Sequence, residues 1–234
     1  MKILLADSDH DALDLTAYAL ERRGHEVIPA RDATHALAHW REKSIDLCIL
    51  AEALPPAGGL ELCRQIRATS LAPVIVYGRD RDETAILAAL EHGADEYLAA
   101  PFSLQQLTLR VDALGRRVGA AVASQERPER AGERIRVADL QLNIAAFAAH
   151  KNGATLRLTP LEFRILQALA ESSGNVVAVN DLMRHRRGGP PCDESTVLKT
   201  HVSHIRAKLM DAGGEALAIR AIPRVGYILS APER

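Results

Sequence analysis

Within the first 117 residues, five short apolar runs alternate with five helical patterns, and few folds accommodate that order. Residues 2–6, 27–29, 45–50, 74–77 and 96–98 read as strands, with helical patterns near 10–23, 33–42, 59–68, 82–92 and 103–117. Ile3, Leu4 and Leu5, like Val74, Ile75 and Val76, follow one another without a polar residue. Such runs suit strands covered on both faces, as in a parallel sheet. Five units of this size predict an α/β, flavodoxin-like (βα)5 domain over residues 1–117, whose functional face lies at the carboxyl ends of its strands.

Residues 118–133 (VGAAVASQERPERAGE) read as polar, contain Pro128 and lack periodicity, so they are expected to be a linker. Residues 134–234 form a second unit of different character. From Ile135 to Leu158 apolar and polar residues alternate around the turn Lys151-Asn152-Gly153, which predicts a small antiparallel sheet with a tight hairpin. Thr159-Pro160-Leu161-Glu162 offers a capping box with proline at the first helical position, and Gly174-Asn175 closes that helix. A further helix is expected to start at the cap candidate Asn180, and Asp193 is a cap candidate for the last one. Sheet, three helices and a terminal hairpin predict an α+β winged helix.

The last helix is the most informative segment. In 195–209 (STVLKTHVSHIRAKL), Leu198, Val202, Ile205 and Leu209 step by four, three and four and make one apolar stripe. Thr196, Lys199, Thr200, Ser203 and Arg206 then fall on the opposite face. Short donors and cations of this kind reach base edges and phosphates in a major groove wide enough for a helix. Residues 219–229 (IRAIPRVGYIL) follow as a hairpin wing. Charge agrees with a polyanionic partner for this half. Residues 1–132 carry 15 Lys and Arg against 20 Asp and Glu, whereas 133–234 carry 14 against 10.

No run of 18 apolar residues occurs, and Met1 leads directly into a strand pattern, so no membrane partner is expected and the chain reads as cytoplasmic. The three cysteines, Cys48, Cys63 and Cys192, have no metal-ligand spacing and read as reduced thiols; Cys192, in a Gly/Pro-rich loop, could sense oxidants. There is no Gly-rich phosphate loop and no Ser/His/Asp set with supporting context. Neither enzyme activity, nor a cofactor, nor a metal is therefore expected.

His201, Ile205, Arg206, Lys208 and Leu209, with Val225, Gly226 and Tyr227, resemble the H-x-x-x-L/I-R-x-K-L helix and V-G-Y wing of the OmpR/PhoB family of response regulators. The amino-terminal half resembles that family's receiver in MKILLADSD, PVIVYG and GADEYLAAPF. The resemblance implies a two-component transcription regulator. In a working receiver an aspartate takes a phosphoryl group from a histidine kinase, because the nucleophile must be a carboxylate. Two acids near the first strand hold Mg²⁺, and a hydroxyl and a lysine hold the new phosphate and drive the switch.

This chain departs from that set at every step but one. Asp7 matches the first acid, but Ser8 stands where the second is expected, Ala51 at the phosphoacceptor, Gly78 at the hydroxyl and Ala100 at the lysine. The pattern is that of a receiver with its packing residues retained and its chemistry lost. A shifted acceptor, Glu52 or Asp7, is the alternative, although the Glu52 side chain is expected on the other face of the strand end. Asp7 and Asp9 could equally be solvated loop acids or helix caps, and Asp7 could hold a weak cation.

The resemblance further implies a homodimer through the fourth helix, fifth strand and fifth helix. Leu87 and Leu90 would form its apolar patch, and Asp95 and Glu96 would pair with Arg110 and Arg117 across a two-fold axis. Exposed ion pairs contribute about 0 to 1 kcal/mol each, so the leucines would carry most of the affinity. Such a dimer would bind double-stranded DNA at tandem half-sites about 10 base pairs apart. Thr196, Lys199, Thr200, Ser203, His204 and Arg206 would face the major groove, and Arg224 a narrow minor groove. His201 is either a packed helix histidine or a DNA ligand. Arg184, Arg186 and Arg187 are candidates for phosphate or RNA polymerase contact. Two other readings stay open: a ligand- or partner-sensing regulator using the emptied pocket around Asp7, Ala51 and Gly78, and a phosphorelay regulator with a non-standard acceptor.

Overall fold

The computed structural model describes residues 1–79, 83–125, 134–144, 146–183, 194–214 and 217–230; side chains of 116–125 and 194–196 are outside that set. Two compact units divide the chain, Met1–Val118 and Gly119–Arg234.

The first unit runs β1 (Lys2–Ala6), α1 (His10–Glu21), β2 (Glu26–Ala30), α2 (Ala33–Glu42), β3 (Leu47–Ala51), α3 (Gly59–Thr69), β4 (Val74–Gly78), α4 (Glu83–Glu91), β5 (Glu96–Ala99) and α5 (Leu104–Gln125). Its strands form one parallel sheet in the order β2-β1-β3-β4-β5, the expected flavodoxin-like arrangement. Central strands β1 and β3 are buried on both faces, from Ile3 to Ala6 and from Leu47 to Ala51, which is why their sequences show no alternation. Ile3, Leu5, Ile49, Ile75, Leu107 and Val111 belong to the core on one side of the sheet. Asp9 caps α1: its carboxylate accepts from the amides of Asp11 and Ala12 at 3.0 and 3.1 Å. A Cβ on Gly59 would lie 2.1 Å from the Ala51 carbonyl oxygen, so α3 can start against the end of β3 only with glycine there.

The expected linker is revised at its front. Helix α5 continues to Gln125, through residues 118–125. That stretch, VGAAVASQ, is rich in alanine and contains no proline, and helix propensity prevails over the missing amphipathic period. Residues 126–133, Pro128 among them, lie outside the described set.

The second unit begins with β6 (Arg134–Val137), β7 (Leu140–Asn143), β8 (Ala148–Lys151) and β9 (Ala154–Leu156), an antiparallel sheet in sequence order. Asn152 and Gly153 both have positive φ, 50° and 80°, as the tight turn between β8 and β9 requires. Then come α6 (Pro160–Glu171), β10 (Val176–Ala178), α7 (Val179–Leu182), α8 (Glu194–Asp211), β11 (Ala218–Ile222) and β12 (Gly226–Ser230). The capping box is present. Glu162 accepts from the Thr159 amide at 2.7 Å, and Thr159 Oγ1 accepts from the Glu162 amide at 3.4 Å.

Two local expectations change. The residue at the cap of α7 is Ala178, and Asn180 lies inside the helix. Strand β10, only three residues long, pairs with β12 and so places the wing in a three-stranded sheet, β10-β12-β11. The cap candidate Asp193 lies outside the described residues. Leu198, Val202, Ile205 and Leu209 are all buried, as the stripe on α8 requires.

Cys48 and Cys63 are fully buried in the first unit. Burial pushes the Cys63 thiol up to about 12 and that of Cys48 higher still, against the weaker pull of Arg67. Neither thiol is therefore a nucleophile in the folded chain. At pH 8 a thiol-exchange reagent should leave both unmodified until denaturant is added; rapid labelling of either in the native protein would refute this burial. Cys192 lies outside the described residues.

Candidate receiver pocket and nucleic-acid interface

The carboxyl ends of β1, β3, β4 and β5 bring Asp7, Ala51, Glu52, Gly78 and Ala100 to one edge of the sheet. Asp7 is buried and held from two sides. Its Oδ1 accepts from the Asp9 amide at 3.0 Å, and its Oδ2 accepts from the Tyr77 hydroxyl. Burial and the adjoining Asp7 charge raise the Tyr77 phenol, so Tyr77 stays protonated and remains the donor. The Ser8 hydroxyl donates to the Ala53 carbonyl at 3.3 Å. Ala51 presents a buried methyl group, which cannot attack phosphorus. Asp7 and Asp9 are thus engaged within the chain, one by Tyr77 and one as the α1 cap.

Glu52 departs from the expected orientation. Its Oε2 accepts from the Tyr97 hydroxyl at 2.8 Å. A Cβ built on Gly78 would lie 1.9 Å from that same oxygen and 2.3 Å from the Tyr97 hydroxyl. Glu52 follows β3, Gly78 ends β4 and Tyr97 sits on the neighbouring strand β5, so the side chain crosses β4 where no side chain intervenes. Alternation along a strand says which side a residue leaves from. It does not say how far a long side chain reaches once its neighbour is glycine. Ala100 adds no charge, and its amide donates to the Gly78 carbonyl at 2.7 Å.

The expected dimer patch is also revised. Asp95 is buried and accepts from Arg67 of α3 and from the Val74 amide, and Glu96 pairs with Arg110 of α5 inside the same chain. Leu90 is buried as well. These acids and Arg110 are therefore paired within one chain, which sequence position alone does not reveal. Leu87 stays half-buried and Leu109, on α5, is exposed. The Arg117 side chain lies outside the described residues.

In the second unit Lys199 of α8 lines a groove of about 500 Å³ together with Asn180 of α7 and Arg224 at the wing tip. Lys199, Ser203 and Arg224 are exposed and Thr200 is half-buried. Arg224 has φ of 65°, a left-handed turn conformation uncommon outside glycine. One of the expected DNA contacts, Arg206, is bonded to the wing, and another, His204, lies beside Glu162. The Arg206 guanidinium donates twice to the Ile219 carbonyl, at 2.9 and 2.7 Å, and so ties α8 to wing strand β11. His204 is partly exposed, with Nδ1 3.7 Å from Glu162 Oε1. His201 is buried, which speaks against its being a DNA ligand. The side chain of Thr196, and Arg184, Arg186 and Arg187, lie outside the described residues. Sequence reasoning did not single out Asn180 as a groove residue, and its short polar side chain gave no periodic signal.

A parallel-sheet domain with an acidic edge, joined in one chain to a winged helix with a cationic groove, defines a DNA-binding response regulator. Residues 3–112 match the family described as "Response regulator receiver domain", and residues 153–229 match "Transcriptional regulatory protein, C terminal". The chain is 32% identical over 235 residues to the alkaline phosphatase synthesis transcriptional regulatory protein PhoP of Bacillus subtilis, with 99% of this chain and 98% of that protein covered. It is 31% identical over 234 residues to the transcriptional regulatory protein AfsQ1 of Streptomyces coelicolor, with both chains covered in full (100%). The crystal structure of DrrB, a Thermotoga maritima OmpR/PhoB homolog, is 26% identical with a TM-score of 0.51, covering 98% of each chain. This chain belongs to the OmpR/PhoB family of response regulators. Among the described residues no helix is long and apolar enough to cross a membrane.

Proposed function

We propose that this transcription regulator works without a phosphoryl group on its receiver. One observation carries the reading: the acceptor position is the methyl of Ala51, and the Glu52 carboxylate crosses Gly78 to bond Tyr97. A carboxyl group of the chain itself thus lies where a switch hydroxyl would otherwise meet phosphate. In this reading the chain acts in the cytoplasm as a homodimer on tandem half-sites of double-stranded DNA and contacts RNA polymerase. Lys199, Thr200, Ser203 and Arg224 are the DNA contacts the groove favours, with Thr196 beside them on α8. Arg206 acts by holding the wing, and self-association depends on apolar side chains such as Leu87 rather than on ion pairs.

The ligand-sensing alternative is weakened because Tyr77 and Tyr97 already engage the two carboxylates of the pocket. A non-standard acceptor would have to be Glu52 or Asp7, each hydrogen-bonded to a tyrosine.

The test uses the full chain, acetyl phosphate with Mg²⁺, and a duplex selected by the protein from a random pool. Intact mass should show no phosphoryl adduct, operator affinity should be unchanged by the treatment, and sedimentation should show a dimer at micromolar concentration. Ala51→Asp alone should remain unlabelled, because Ser8, Gly78 and Ala100 still lack the metal ligand, hydroxyl and ammonium. A stoichiometric acyl phosphate on the unaltered chain, accompanied by tighter operator binding, would overturn phosphate independence.

A further inference from the structure

Where α6 meets α8, three side chains of metal-ligating type come together. Glu162 comes from the first turn of α6, and His201 and His204 are neighbours at i and i+3 on α8. One donor atom from each lies within 4.8 Å of the other two. The His201 and His204 rings stand edge to face, 6.4 Å apart. Glu162 is 1% exposed and His201 2%, whereas the His204 side chain is 35% exposed, so the cluster is walled on one side and open on the other.

The two oxygens of Glu162 face different groups. Oε2 accepts from the Thr159 amide at 2.7 Å and from Lys208 Nζ at 2.6 Å. Oε1 faces His204 Nδ1 across 3.7 Å, too far for a hydrogen bond. We propose that Glu162, His201 and His204 form a site for a divalent transition metal of the zinc class, bound through Glu162 Oε1 and one nitrogen of each imidazole.

Two imidazoles and one carboxylate leave a tetrahedral ion one open position for water, on the exposed side of His204. That donor set selects zinc, nickel or copper over magnesium and calcium, which prefer all-oxygen shells. Metal–ligand bonds of about 2.0 to 2.2 Å place ligand atoms roughly 3.4 Å apart, so donor atoms that lie within 4.8 Å of one another close with up to about 1.4 Å of relative movement. His204, partly exposed, can supply that movement. The Lys208 ammonium is the competitor. It lies beside the same carboxylate, repels an incoming cation and is exposed enough, at 31% of its side chain, to swing into solvent. Filling the site would fasten the recognition helix α8 to α6 and stabilise the folded winged helix by mass action.

Full-length protein titrated with Co²⁺ alone at neutral pH should bind one ion. It should develop the intense visible absorption of four-coordinate cobalt, lose it to Zn²⁺, and show a raised melting temperature for the carboxyl-terminal domain. His204→Ala, a change at a partly exposed position, should abolish the absorption. Lys208→Met should bind about tenfold more tightly, because a competing charge is gone. Absence of the visible band, or binding that His204→Ala leaves undiminished, would overturn the site. None of these readouts depends on phosphate, so failure here leaves the phosphate-independence test unaffected.

Discussion

Glu162→Ala will lower the unfolding free energy of the carboxyl-terminal domain by about 2 to 4 kcal/mol. Three losses coincide at this position. The Thr159 amide loses its acceptor and α6 its capping box, the Lys208 ammonium loses its partner, and a buried cavity opens at a site only 1% exposed. Breaking a buried ion pair alone costs about 3 to 5 kcal/mol, but Lys208 is partly exposed and can turn to water, which reduces that figure. For a domain of this size the loss corresponds to a fall in melting temperature of roughly 10 to 25 °C. Glu162→Gln keeps an acceptor oxygen for the cap and should fall between the alanine variant and the unaltered chain. Denaturant midpoints for the three proteins would check the order; a loss below about 1 kcal/mol for alanine would refute it.

The second large effect is expected at Gly226, the first residue of β12. A Cβ there would lie 1.9 Å from the Val177 carbonyl oxygen, 2.8 Å from its carbonyl carbon and 3.0 Å from the Ala178 Cα. All three are backbone atoms of β10, so no side-chain rotation relieves the overlap. Gly226→Ala should therefore push β12 away from β10 at a cost of about 3 kcal/mol, at the upper end of overpacking penalties. The wing depends on this pairing. Arg224 sits in the turn two residues earlier, and β11, which receives the Arg206 guanidinium at Ile219, pairs with the other edge of β12. Loss of affinity for the selected duplex is the expected result, with the amino-terminal domain melting as before. Full DNA binding and an unshifted carboxyl-terminal transition would show that the close approach does not matter.

Sequence patterns revealed features that depend on local spacing, and missed those that depend on remote neighbours. The five β/α units were legible because strands buried on both faces require unbroken apolar runs. The capping box at Thr159 and Glu162 and the turn at Asn152 and Gly153 were legible because a few adjacent residues complete each motif. Strand β10 was not, since three residues carry no period and their pairing with β12 is fixed some fifty residues later. Reading Ala51 at the position where the family resemblance puts the acceptor needed only the frame of the receiver. The path of Glu52 needed Gly78 and Tyr97 on two neighbouring strands. Likewise, Asp95 and Arg206 were recognised as charged groups in the right elements, but their partners Arg67 and the Ile219 carbonyl come from elsewhere in the fold, and Arg110, expected to meet the acids across a two-fold axis, pairs with Glu96 inside one chain.

Phosphoaspartate hydrolyses, and its lifetime ordinarily acts as the clock of a response. The carboxylate that Glu52 places over Gly78 is part of the polypeptide and never decays. In the proposed reading, the duration of any output is then set by how fast the chain is synthesised and degraded.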